Sequence, residues 1–211
     1  MKYFVKTLIL ISIAFWGTAV WSPVLAQQSK QFGSGFFISN EGHIITNEHV
    51  VRNCKKFTAV DQNGNQIPLM LIDTSKNHDI ALLKAAIRPK NTAEFGELNK
   101  IQQGDTIVTY GFPLAGLLSS SGNVSTGLIT ATGGLRDNPN MLQISAPVQP
   151  GNSGGPLVDT TGALIGIIVG KINPSAFVEM FDDIPQNINF AIKERPVLEF
   201  LKTFLLQLVE G

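Results

Sequence analysis

The chain has 211 residues, of which 44% are hydrophobic and 15% charged, with 16 basic and 16 acidic side chains and a formal net charge of +0. That apolar share supports a packed core and excludes a disordered chain, while the balanced charge, with no run of Lys or Arg, offers no electrostatic footprint for nucleic acid. Twenty glycines and eleven prolines suit short strands joined by turns, and no fixed-period repeat suggests a solenoid or propeller.

Residues 1–26 differ in character from the rest of the chain. Lys2 and Lys6 precede an apolar stretch from Leu8 to Trp21, and the segment closes with Val24-Leu25-Ala26, the layout of a secretory signal peptide. Cleavage after Ala26 would leave 211 − 26 = 185 residues with 16 acidic and 16 − 2 = 14 basic groups, a net charge of −2. The alternative is an uncleaved anchor, but the stretch is short of the ~20 residues a spanning helix needs and Pro23 interrupts it. The expectation is an exported protein, periplasmic or secreted, with no stable membrane association after cleavage. Cys54 is the only cysteine, which leaves no intramolecular disulfide, and it reads as a small buried hydrophobe beside Val50, Val51 and Phe57. One cysteine among three histidines gives no structural zinc spacing, and neither a metal nor a cofactor is expected.

In chain order, residues 33–39 read as a strand, Asn40-Glu41-Gly42 as a tight turn and His43 to Thr46 as the returning strand. Lys56 to Val60 and Ile67 to Ile72 form a second pair around an Asn-Gly turn. Ile80 to Leu83 is an apolar run of strand length. Further strands are expected at Thr106–Tyr110, Val124–Ala131, Met141–Ser145, Gly155–Val158, Ala163–Val169 and Ile188–Ala191. This spacing, without helical periodicity between strands, argues for an all-β barrel or sandwich. At the carboxyl end, Val197, Leu198, Leu201, Phe204, Leu205 and Leu208 recur at helical steps behind Pro196, predicting one amphipathic helix docked on the core, over about residues 195–209.

Residues 151–156 read Gly-Asn-Ser-Gly-Gly-Pro. Glycine lets a backbone approach a substrate and aim amide N–H groups above a serine oxygen, although a polar turn would satisfy the same string. The run also matches the nucleophile elbow of α/β-hydrolases, but that fold sets its histidine after the serine, and His43, His49 and His78 all precede Ser153. Subtilisin order needs an aspartate before the histidine; no Asp occurs upstream of Asp61, and only His78 comes after it. The order His, Asp, Ser remains. His49 comes just after a strand at the start of a short turn, and Asp79 heads an apolar strand that could hold its carboxylate. His43 and His78 are given no chemical task.

The blocks Gly35-Phe36-Phe37-Ile38, Thr46-Asn47-Glu48-His49-Val50-Val51, Asp79-Ile80-Ala81-Leu82-Leu83-Lys84, Gly151-Asn152-Ser153-Gly154-Gly155-Pro156-Leu157 and Asn189-Phe190-Ala191-Ile192 resemble those of trypsin-like serine peptidases. They are most similar to the bacterial HtrA/DegP-like branch. The resemblance implies two six-stranded antiparallel β-barrels with the site between them: a first over about residues 30–104 carrying His49 and Asp79, and a second over about 105–192 carrying Ser153. It assigns residues 27–211 to one protease domain that cleaves proteins or peptides. His49 would be the general base, Asp79 its orienting carboxylate, Ser153 the nucleophile, and the N–H groups of Gly151 and Ser153 the oxyanion donors. A specificity pocket would take its floor from Ala146, Pro147 and Val148 and a wall from Val169, Gly170 and Lys171; none of the floor residues is charged, so an apolar P1 side chain is expected. Digestive relatives carry an aspartate where this chain has Asn152, so activity is expected without a new amino terminus. Only 211 − 192 = 19 residues come after Ile192, too few for a peptide-binding PDZ domain. The loop from Gly111 to Gly127 is expected as a gate or an ordinary connection. Two alternatives share the triad residues: a catalytically silent binding module, and an esterase.

Overall fold

The first hairpin among the described residues forms where glycine permits one. A computed structural model describes residues 31–61, 64–96, 101–113, 122–170 and 187–210, the last four as backbone; residues 1–26, expected as a signal segment, Lys171 and residues 114–121 of the expected 111–127 loop lie outside these. Strand β1 (Phe36–Phe37) pairs antiparallel with β2 (His43–Thr46), with Phe36 opposite Ile45. Gly42 closes the turn at φ 91°, and a side chain there would run into the carbonyls of Ala85 and Ile87. A single helical turn, α1 (Glu48–Val51), comes directly after β2. Strands β3 (Phe57–Val60) and β4 (Gln66–Ser75) form the second hairpin, in which Asp61 N–H donates to Asn65 O at 3.0 Å and Gly64 sits at φ 81°.

Strand β4 is longer than its hydrophobic pattern predicts. A register shift between Leu71 and Asp73 bends it and keeps it paired with β5 (Ile80–Ala85) as far as Ser75 opposite Ile80. The tight turn at 76–79 is thereby fixed at both ends, and Asp79 is its last residue.

The first sheet has the order β1-β2-β5-β4-β3 and is open, with five strands among the described residues. The expected six-stranded closure is corrected to a curled half-barrel. The chain after β5 hydrogen-bonds to the open edge where Ala93 N–H donates to Phe37 O at 2.8 Å. Phe95 bridges Leu164 in the second lobe, with Leu164 N–H on Glu94 O at 2.7 Å and Gly96 N–H on Leu164 O at 2.9 Å. The segment that could have closed the first lobe ties it to the second.

The second lobe is the closed six-stranded barrel expected. Its strands are β6 (Thr106–Gly111), β7 (Asn123–Ala131), β8 (Met141–Ile144), β9 (Pro156–Asp159), β10 (Leu164–Val169) and β11 (Asn189–Lys193), in the order β10-β11-β8-β7-β6-β9. Ile107, Ile129, Leu142, Ile144, Leu157, Ile165 and Ile168 fill its interior.

Successive side chains of a strand face opposite ways, and β5 uses both faces. Ala81, Leu83 and Ala85 join Ile44 and Val51 in the core of the first lobe. Ile80 and Leu82 join Ile45 with Ile167 and Ile192 of the barrel and Val197 and Phe200 of the terminal helix α2 (Glu194–Glu210). This apolar seam holds the lobes together at roughly 1.5–3 kcal/mol for each large side chain fully buried. Among the residues whose side chains are described, the helix stripe differs from the predicted one at Phe200, which is buried, and at Leu205, which is exposed. No helix among the described residues is long and apolar enough to cross a membrane.

Glu194 begins α2 buried at 2% exposure, and its Oε2 has no hydrogen-bond partner among the described residues. Burial pushes its carboxyl above the usual carboxylate range, more strongly than its own N–H and Lys193 pull it down. The folded state then binds a proton more tightly than the unfolded chain, so stability falls as pH rises from the ordinary carboxylate range through the raised value. Glu194→Gln is expected to raise the melting temperature at neutral pH and to flatten that dependence, measured by thermal scans across pH.

Candidate active site

His49 is set by local structure on one side and by the β5 turn on the other. Asn47, at the N-cap position of α1, makes no side-chain cap; its Nδ2 donates instead to Asp79 O at 2.9 Å, stitching the end of β2 to the head of β5. Asp79 holds φ 55°, a conformation that aspartate and asparagine adopt more readily than other non-glycine residues. Both its carboxylate oxygens then face residue 49. Oδ1 accepts the His49 backbone N–H at 2.9 Å, and Oδ2 lies 2.7 Å from Nδ1. A carboxylate can only accept, so Nδ1 carries a proton, and in the neutral ring Nε2 keeps its lone pair. The pair is about one-third exposed, which leaves the ring open to a cleft.

Ser153 lies in a turn whose backbone groups are almost all committed. Gly151 at φ 102° and Gly154 at φ 85° bracket it, conformations that L side chains resist. Asn152 N–H donates to Gln149 O at 3.0 Å, Gly154 N–H to Ile168 O at 2.9 Å and Gly155 N–H to Asn152 O at 2.9 Å. The N–H groups of Gly151 and Ser153 have no acceptor among the described residues. Ser153 is 7% exposed, and its Oγ accepts the N–H of Gly170, at the end of β10, at 2.9 Å. Among the described residues no hydrogen bond joins Oγ to His49.

The two halves nevertheless abut. A Cβ on Gly154 would meet Thr46 Oγ1, the Ser34 carbonyl and, at 3.1 Å, Asn47 N, two residues before His49. Ser34 N–H donates to Ser153 O at 2.7 Å. The hydroxyl of Ser34 donates to Gly151 O at 2.7 Å, and the Thr46 hydroxyl donates to Ser34 O at 2.7 Å. Sequence reasoning gave Ser34 and Asn47 no role. Their signal was only a serine between two glycines before a strand and an asparagine at an N-cap.

Of the expected specificity residues, Ala146 and Val148 are buried with the barrel core and Pro147 is exposed. Asn189 Nδ2 donates to Ala146 O at 2.8 Å, which fixes the chain leading to the serine turn. Gly170 lies against Ser153 through that 2.9 Å bond with Val169 just before it, and Lys171 is outside the described residues. Asn152 is buried, with Oδ1 unpartnered among the described residues against Gly111. A cleft of about 120 Å³ opens next to Asp79, lined by Asn77, His78, Asn138, Asn140, Met141, Val169 and Ile192.

Among the described residues no hydrogen bond joins His43 or His78 to the serine turn. His43 bonds Ser39 Oγ at 2.7 Å, and burial, then the Lys84 ammonium, holds its pKa below the usual imidazole range. His78 Nδ1 lies 3.2 Å from Ser75 Oγ. Among the described residues no cluster of His, Cys, Asp and Glu could hold a metal ion.

A closed barrel and a curled half-barrel meeting at a seam, with a paired imidazole on one side and a serine turn on the other, define the trypsin-like fold. The family model of the trypsin-like peptidase domain matches residues 33–167, and the chain belongs to that family. It is 37% identical over 150 residues to a probable periplasmic serine endoprotease DegP-like of Bartonella henselae, covering 68% of this chain and 29% of the relative. To the serine endoprotease DegS of Haemophilus influenzae it is 31% identical over 166 residues, covering 78% and 47%. It superposes on the HtrA-type protease AlgW, solved with a decapeptide, at a TM-score of 0.70 and 29% identity, covering 82% of this chain and 51% of that one. The chain spans less than half the length of these two curated relatives.

Proposed function

We propose that this protein is an exported serine endopeptidase that cleaves peptide bonds through Ser153, His49 and Asp79. The observation that carries the reading is the serine turn itself, where a buried hydroxyl stands beside the amides of Gly151 and Ser153, which have no acceptor among the described residues. Its membership of the trypsin-like peptidase family, and the peptide held by the related AlgW, support the same reading.

The reaction starts as Ser153 Oγ turns about its Cα–Cβ bond from Gly170 towards Nε2 of His49, a tightening common when substrate arrives. Oγ bonds the substrate carbonyl carbon while its proton passes to Nε2, and the C=O electron pair moves onto oxygen. The resulting oxyanion is met by the N–H groups of Gly151 and Ser153, each worth roughly 3 kcal/mol in the transition state. Asp79 stabilises the imidazolium. The C–N bond then breaks, the amine takes the proton from Nε2, and an acyl-Ser153 ester remains. Water repeats the sequence, giving up a proton to Nε2 as it attacks and releasing the acid and free Ser153 Oγ–H.

An apolar P1 side chain is expected, since none of the floor residues Ala146, Pro147 and Val148 carries a charge. Asn152 presents no carboxylate to an incoming ammonium, so activity needs no newly cut amino terminus. Periplasmic relatives and the signal-like residues 1–26 support export.

The test is labelling with a fluorophosphonate, with Ser153→Ala as the control. Label on the wild type and none on the variant is the expected outcome; an unlabelled wild type means a silent module. A peptide library against simple esters then separates peptidase from esterase.

A further inference from the structure

The Ser34 hydroxyl joins three segments that are far apart in sequence. It accepts Phe112 N–H at 3.0 Å and donates to Gly151 O at 2.7 Å. A hydroxyl has one proton, so it is committed to Gly151. The same residue donates its backbone N–H to Ser153 O at 2.7 Å and accepts the Thr46 hydroxyl on its own carbonyl at 2.7 Å. Ser34 therefore grips the carbonyls of residues 151 and 153, the two residues of the turn whose N–H groups meet no acceptor among the described residues. It is 6% exposed, so these bonds face little competition from water.

Gly151 needs such a grip. A carbonyl shares its rigid plane with the next residue's N–H, so the two Ser34 bonds hold the 151–152 and 153–154 planes on either side of the one that carries Ser153 N–H. The plane carrying Gly151 N–H joins the first of these at Gly151, where φ 102° without a Cβ leaves a permissive joint that an anchored neighbour steadies. Donors stabilise an oxyanion most when they are aimed before the charge appears, and an error near 1 Å can cost on the order of 100-fold in rate.

We propose that Ser34 is a positioning residue for peptide cleavage: its hydroxyl and N–H fix the 151–152 and 153–154 peptide planes, which flank the plane carrying the Ser153 amide and anchor one side of Gly151, so that these donors stay aimed at the oxyanion. The inference rests on Ser153 being the nucleophile. Ser34 touches no reacting atom; it acts through the turn.

The experiment uses the full chain as wild type, Ser34→Ala, Ser34→Thr and Ser34→Cys, with Ser153→Ala as the labelling control. Four quantities are read: kcat and KM on a peptide, affinity for a peptide boronic acid whose tetrahedral adduct places an oxygen between the amides, affinity for a product peptide, and melting temperature. Ser34→Ala is expected to lower kcat about 10- to 100-fold with KM within about twofold, and boronate affinity falls in the same proportion while product binding holds. Ser34→Thr, which keeps the hydroxyl, returns kcat to within about threefold. If Ser34→Ala does not fold, Ser34→Cys replaces a strong donor with a weak one and is expected to show the same paired loss of kcat and boronate affinity. Variants that lower only the melting temperature, with wild-type kcat in the folded fraction, overturn the proposal. A wild type that takes no Ser153-dependent label overturns the peptidase reading and the positioning role with it; a labelled wild type matched by Ser34→Ala and Ser34→Cys overturns the positioning role alone.

Discussion

Ser153→Ala is expected to lower kcat by about a million-fold, and His49→Ala by a similar factor, with no further loss when the two are combined. The non-additivity is the informative part. A serine without a base and a base without a serine both leave the same residual catalysis, supplied by the amides of Gly151 and Ser153 and by substrate binding alone. The fold should tolerate the serine change, because Ser153 Oγ makes one hydrogen bond among the described residues, from Gly170 N–H, and alanine keeps the turn's backbone pattern. Steady-state kinetics on the single and double variants make the check. Losses that multiply would mean that His49 and Ser153 do not act on the same proton.

Asp79→Asn is expected to lower kcat by about ten-thousand-fold while the fold stays intact. Position 79 sits at φ 55°, where asparagine is at ease, and its backbone carbonyl still receives Asn47 Nδ2. The side-chain oxygen can still accept the His49 backbone N–H, as Oδ1 does now at 2.9 Å. The amide NH₂ then replaces Oδ2 opposite Nδ1, 2.7 Å away, and donates where the carboxylate accepted. A neutral imidazole answers by moving its proton to Nε2, which can no longer take one from serine. Melting curves beside kcat distinguish this tautomer effect from unfolding. A variant that keeps wild-type kcat would remove Asp79 from the mechanism.

Much of this architecture is written locally in the chain. The order of His49, Asp79 and Ser153 excludes two serine-hydrolase architectures before any coordinates, and glycines at 151 and 154 mark a turn that other residues resist. Strands of the second lobe emerge from short apolar runs bounded by turns, because period-two burial is a near-neighbour property. The helix behind Pro196 is visible for the same reason, yet its buried edge differs from the pattern at Leu205 and Phe200, because which side of a helix is covered depends on what lies opposite.

Strand and turn grammar, the chain order of His49, Asp79 and Ser153 and the glycines that let a serine turn form were thus legible from the residues alone, since the first and last of these depend on neighbours within a few positions and the second on order itself. Whether the first lobe closes was settled in three dimensions, where Phe95 reaches Leu164 across the seam. So was the way Asp79 engages both Nδ1 and the backbone N–H of His49, and the meeting of Ser34 with Gly151 across 117 residues. Hydrogen bonds of such separation exist only after the chain has brought their partners together, and no local pattern encodes the direction in which a buried hydroxyl will point.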